Sequence, residues 1–253
     1  MIHKERVKSV KKSSELTNSQ EKALLERREL LGGAATLAGT SLLGLGLPAA
    51  ATAAGVPAAG AAAAEVAADR MPPIPMDQMT DAQKKAAAEL TSGPRKTLVG
   101  PFISLLRSPE FMSRLQKMGA YLRFNTQLGP NVSEFIILLT ARQWTQQFEW
   151  DSHAGIAARA GVKPEIIAAI ADGRRPEGMS ADHEIVYDFC DELHRNQSVS
   201  DPTYARAVGR FHEQGVIDMT GLCGYYTLLG MIMNVARTPL PPGKALPLVP
   251  FPH

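Results

Sequence analysis

The stretch Ser133–Gly161, SEFIILLTARQWTQQFEWDSHAGIAARAG, decides how the rest of the chain is read. Its apolar residues recur at helical spacing and Gly161 supplies a stop, which predicts one long helix. Arg142, Gln146, Glu149 and His153 sit inside the apolar face, at steps of four, three and four. At about 100° per residue these four share a sector of roughly 60°. Phe135, Leu138, Leu139 and Ile156 point the same way, while Thr140, Gln147, Asp151 and Ala158 take the far side with Trp144 near it. A solvated polar stripe is the ordinary reading of such a face. Against it, the stripe runs between apolar neighbours. It also joins an acid/base group, a carboxylate one turn earlier and a cation further back, a combination that tunes pKa values. The acid, the amide and the histidine are therefore expected to face inward, where ionisable groups are costly unless paired.

Outward from this helix the chain reads as helices with short breaks. Thr80 or Asp81 caps a helix through Leu90, and Gly93-Pro94 ends it. Gly100-Pro101-Phe102 opens a turn. Ser108-Pro109-Glu110 starts a helix to Phe124, with a cap, a proline at the first helical position and an acid in the first turn. Gly129-Pro130-Asn131 precedes the central helix. Lys163-Pro164-Glu165 starts a short helix ending at Gly173, and Ser180 starts another to Asn196. Asp201-Pro202 repeats the cap-proline signal for a helix ending near Gly215. Val216–Arg237 is a further apolar helix, in which Gly221, Gly224 and Gly230 predict close helix–helix approach. No segment alternates as a strand would. The expected class is all-α.

The ends differ in character. The first 29 residues are polar and mildly basic, and Arg27-Arg28 leads into the apolar, small-residue run GGAATLAGTSLLGLGLPAAATAAG. That order matches the plan of an export signal of the twin-arginine type, with cleavage near Ala53. A nucleic-acid-binding arm and a retained membrane anchor are the competing readings. The glycines and threonines weaken the anchor by lowering its transfer free energy. The expected organisation is a signal over 1–53, an Ala/Gly/Pro linker over 54–76, a helical domain over 77–237 and a proline-rich tail over 238–253. Export implies a periplasmic or otherwise exported location and export machinery as a partner. The net charge of +2 gives no general reason for nucleic-acid binding. The two cysteines, Cys190 and Cys223, form no CxxC and no zinc spacing, and are read as buried free thiols, with a disulfide left open.

Gly100-Pro101-Phe102, Leu105-Leu106, Ser108-Pro109-Glu110, Glu134 with its apolar run, Glu149-Trp150-x-x-His153 and Ala160-Gly161-Val162 together resemble the carboxymuconolactone decarboxylase family. That family belongs to the superfamily containing alkyl hydroperoxidase D. The resemblance covers roughly residues 80–235. It implies an alkyl hydroperoxidase D-like helical bundle assembling as trimers or hexamers. In the peroxidase branch a glutamate, a Cys-x-x-Cys pair and a histidine share this helix. The glutamate and histidine correspond to Glu134 and His153, but the cysteine positions hold Gln146 and Glu149. Neither can attack a peroxide and form a disulfide. The decarboxylase branch, which also lacks the cysteines, is the nearer match.

The resemblance and the inward stripe lead to one expectation, cofactor-free acid/base chemistry on a small cyclic carboxylate or lactone. His153 is the candidate proton donor, with Glu134 or Glu149 orienting it. Arg142 is the candidate carboxylate clamp, with Gln146 and Arg123 as further substrate-binding residues. No metal and no cofactor is expected. The alternatives are a non-catalytic ligand-binding or assembly protein on the same scaffold, and a peroxidase using Cys190 or Cys223. Tyr225 and Tyr226 are read as core packing, with pocket lining as the alternative, and His183, His194 and His212 as ordinary surface or core histidines.

Overall fold

In the computed structural model, residues 68–250 are described; the expected signal and most of the expected linker lie outside them. The described residues are helical, with no strand among them. After a 3-10 turn at Met76–Gln78 come α1 (Asp81–Ser92), α2 (Pro101–Leu105), α3 (Pro109–Phe124) and α4 (Gly129–Gln143). They are followed by α5 (Gln147–Arg159), α6 (Pro164–Ala171), α7 (Ala181–Asn196) and α8 (Asp201–Ala236).

α4 is the axis of the fold. It packs against α3, α5, α6, α7 and α8. From Val132 to Leu138 every residue is buried, as expected of a helix that is apolar nearly all round. Phe135, Ile136, Ile137 and Leu138 are wholly enclosed, and burying each such side chain is worth about 1.5–3 kcal/mol. Thr140, expected on the outer side, is enclosed too. Its hydroxyl donates to the Ile136 carbonyl (3.0 Å) and meets His194 Nε2 (3.3 Å), so its polar atom is satisfied inside.

Ser133–Gly161 is not one helix. Trp144 ends α4, Thr145 takes φ 44°, and Gln146 is extended before α5 begins. Contacts from α8 hold this elbow. Asn234 donates to the Trp144 carbonyl (3.1 Å) and accepts from Gln146 Nε2 (3.0 Å), and the Trp144 indole donates to Thr227 (3.1 Å). Gly230 lets the elbow approach, since a Cβ there would stand 3.3 Å from Trp144 Cβ. Gln146 is itself the cap of α5, its side-chain oxygen accepting from the amides of Phe148 (2.7 Å) and Glu149 (3.2 Å). At the open end of the α4–α5 hairpin, Asn131 donates to the Ala160 carbonyl (3.0 Å).

Other helix starts follow the sequence with two corrections. Thr80 and Gln83 form a reciprocal capping box, and Ser180 caps α7 through the His183 amide (3.2 Å). Ser108, however, makes no side-chain cap. Asp201 is already helical, and the start of α8 is held instead by Glu192 of α7. That carboxylate accepts from the Ser200 amide (2.6 Å) and the Thr203 hydroxyl (2.6 Å). The expected break near Gly215 falls at His212, whose φ of 60° and ψ of 173° interrupt α8. α8 is long and apolar enough to cross a membrane, but 56% of its most apolar window is buried inside the protein. Of its glycines, Gly221 and Gly230 meet neighbours closely, whereas Gly224 faces open space.

The folded part begins ahead of residue 77. The Arg70 amide donates to the Ala236 carbonyl (2.8 Å), and Arg107 donates to the Pro72 carbonyl (2.7 Å). The proline-rich tail returns over α5. Leu248 is buried, its backbone exchanges two hydrogen bonds with the Gln147 side chain (2.8 and 2.9 Å), and Lys244 pairs with Asp151 (2.7 Å).

Candidate active site

The α4–α5 hairpin brings Glu134 and His153 side by side, although nineteen positions separate them. His153 Nδ1 lies 2.6 Å from Glu134 Oε2, and Nε2 lies 3.4 Å from Glu149 Oε2, one turn earlier on α5. The second contact is long for a hydrogen bond, so Nε2 is the less committed nitrogen. All three side chains are buried, at 3–4% exposure. Arg123, from the last turn of α3, reaches the other Glu134 oxygen (3.4 Å). The Tyr226 ring of α8 meets the imidazole edge-on, centroids 5.3 Å apart.

These groups set one another's protonation. Burial alone would depress the His153 pKa, but hydrogen bonds to Glu134 and Glu149, together with their charges, outweigh it and raise the value above 6.5. Burial pushes the Glu134 carboxyl the other way, and the hydrogen bond and charge of His153, then Arg123, bring it below 4.5. The pair is thus favoured as imidazolium and carboxylate. Among the described residues, no group of three or more His, Cys, Asp or Glu side chains could hold a metal ion.

His153 and Glu149 form one wall of a cleft of about 350 Å³, which Arg95, Arg123, Phe102, Phe124, Phe148 and Tyr226 also line. No family model matches the chain, and no curated protein matches it. What the site can do therefore rests on its geometry. The cleft combines aromatic walls with two guanidinium groups and an acid/base pair, the composition of a site for a small, partly apolar anion. Gly100 makes room for one wall: its φ is 57°, and a Cβ there would lie 2.4 Å from the Phe148 ring.

The candidate residues separate in space. Glu134, Glu149, His153 and Arg123 come together as expected. Arg142 and Gln146 are buried as expected, but neither lines this cleft. Arg142 lies beside Thr145 Oγ1 (3.4 Å) and lines a different cavity, with Cys190 and His194. Gln146 has its oxygen on two α5 amides and its nitrogen on Asn234. The elbow between α4 and α5 is the cause, because it ends the single helical phase that had aligned these two with His153.

Two cleft residues carried no clear signal. Arg95 follows the Gly93-Pro94 break and donates to the Tyr225 hydroxyl (3.2 Å) while stacking over Phe102. Gly119 gives Tyr225 its space, since a Cβ there would stand 2.1 Å from the phenol oxygen. Burial pushes Tyr225 up to about 12 and Tyr226 well above 10.0. The Tyr226 hydroxyl is buried and has no hydrogen-bond partner. Tyr226, read from sequence as core packing with pocket lining as the alternative, is both buried and among the residues that line the cleft.

Proposed function

We propose that this chain is a carboxymuconolactone decarboxylase-like protein with an alkyl hydroperoxidase D-like helical fold. Its proposed reaction is cofactor-free acid/base chemistry on a small cyclic carboxylate or lactone. The carrying observation is His153 held between Glu134 and Glu149 in a cleft that also presents Arg95 and Arg123. The substrate carboxylate pairs with Arg95 and Arg123, which take the clamp role first expected of Arg142. The carbon–carbon bond to the carboxylate breaks, CO₂ leaves, and the electron pair stays on the ring as a dienolate. The His153 imidazolium, oriented through Nδ1 by Glu134, delivers the Nε2 proton to that carbon and is reprotonated from water. The unpartnered Tyr226 hydroxyl donates to the developing enolate oxygen.

One observation favours a second reading. Both nitrogens of the enclosed imidazole already face carboxylates, an arrangement equally suited to a pocket that binds a ligand without turning it over. One experiment separates the two. The purified full chain and His153→Ala are given carboxymuconolactone and related lactone acids, with CO₂ release and heat of binding both recorded. The first reading expects release that falls about 10²–10⁴-fold in the variant. Binding without release by the folded wild type overturns it in favour of the second.

Two accompanying proposals concern context. Residues 1–53 serve as a twin-arginine-type export signal that places the protein in the periplasm. The folded part assembles as a homo-oligomer, a trimer or hexamer, which the exposed apolar side chains Ile217, Val235 and Met231 support.

A further inference from the structure

Arg142 does not line the His153 cleft. It lines a second cavity, of about 70 Å³, together with Arg174, Arg195, His194 and Asp191. These residues come from separate places in the chain. Arg142 stands in the last turn of α4, Arg174 follows the end of α6, and His194 and Arg195 stand in the last turn of α7. A cation in the last turn of a helix ordinarily serves the negative end of the helix dipole. That accounts for these positions one at a time. It does not account for three guanidinium groups on the walls of one hollow.

The charges around the cavity do not cancel. Arg195 pairs with Asp191 (2.7 Å), and Arg174 pairs with Asp172 (2.9 Å). Both arginines are well exposed, whereas Arg142 is buried at 6% exposure. Burial pushes the Arg142 guanidinium down from its usual value, and the charge of Asp172 acts against that. Three guanidinium groups thus share two carboxylates, and the local balance stays positive. Arg142 Nη1 holds Thr145 Oγ1 at 3.4 Å, a long contact to a neutral acceptor, so an anion would be the stronger one.

We propose that this cavity binds a small inorganic oxyanion of the phosphate class. One water needs about 10–15 Å³, so the space takes about five water-sized atoms, the size of a tetrahedral oxyanion. The Arg142 guanidinium supplies the buried contact, its planar N–H groups suited to a two-point grip on such an ion. Arg174 and Arg195 meet the ion from the exposed side. His194, on the same wall, reports its arrival. The site is separate from the His153 cleft and does not depend on the chemistry proposed there.

The test is a titration of the folded full chain with inorganic phosphate at fixed pH, sodium chloride keeping the ionic strength constant. Binding is followed through the imidazole NMR signals, with His194→Gln and His153→Ala identifying the two that matter. The His194 signal is expected to move saturably with phosphate. Arg142→Gln is expected to weaken the apparent affinity about tenfold or more. Should that buried change prevent folding, the exposed double variant Arg174→Gln/Arg195→Gln takes its place, with the same loss expected. A His194 signal that does not move, or that moves without saturating, overturns the site. So does movement confined to His153, which would put the ion in the other cleft. Unchanged affinity in the folded variant, with His194 still responding, overturns the role of the arginines and the site with it.

Discussion

His153 shows how much a single side chain depends on what faces it. Removing its solvent shell would favour neutral imidazole, and only the carboxylates of Glu134 and Glu149 reverse that tendency. Glu134→Gln is therefore expected to move the His153 titration down, from above 6.5 toward or below it, in an NMR pH series. An unchanged titration would mean that Glu134 does not set the charge state of the ring. The acid form is the active one in the proposed reaction, so turnover should decline as pH rises through the raised His153 value. The helical spacing in the sequence did carry Glu149 and His153, because two residues one turn apart share a face in any helix. Tyr226 and Arg95 could not be found that way. They lie far from α5 in sequence, and only the packing of α8 and of the segment before α2 brings them to the same cleft.

The elbow at Trp144–Gln146 illustrates the same division among elements. Thr80, Ser180 and the prolines opening α3 and α8 act within one turn, and the chain announces them locally. Nothing between Ser133 and Gly161 forces a break, because the elbow's partners, Thr227, Gly230 and Asn234, lie more than eighty positions away. Local pattern therefore gave the burial of Arg142 and Gln146 correctly but placed them in the wrong neighbourhood. Gln146→Ala removes the cap of α5 and leaves the Asn234 oxygen without its donor. A loss of about 1–3 kcal/mol is expected in denaturant unfolding. Asn234→Ala combined with it should cost less than the sum of the two single changes, since the pair shares a bond. Full additivity in that cycle would show the two side chains acting independently.

For the molecule as a whole, the Glu134–His153 pair makes stability depend on pH from both sides. The His153 pKa is raised on folding, so its contribution is complete below 6.5 and is lost as pH climbs through the raised value. The Glu134 pKa is lowered, so its contribution is complete above 4.5 and is lost as pH falls through the lowered value. The difference in melting temperature between wild type and Glu134→Gln should be greatest between those limits and shrink outside them. A difference that keeps growing into alkaline solution would remove the pair from the account of stability. The all-helical class was legible at this scale, since helical periodicity, caps and the lack of alternation all agree. The start of the folded part was not, because the residues before Met76 look like linker and gain structure only from contacts distant in sequence, with the end of α8 and with Arg107.

That junction, with Arg70 bonded to the carbonyls of Val235 and Ala236, also governs the order of folding. Its side-chain bond closes a loop of 165 positions, so it cannot form until almost the whole body has been synthesised. Within the α4–α5 hairpin the contacts span much less chain, as from Asn131 to Ala160, but its elbow waits for Thr227 and Asn234 of α8. Closure of the ends is consequently a late event, and a chain halted before Thr227 would lack both the α8 partners of the elbow and the α8 end that fastens the start of the fold.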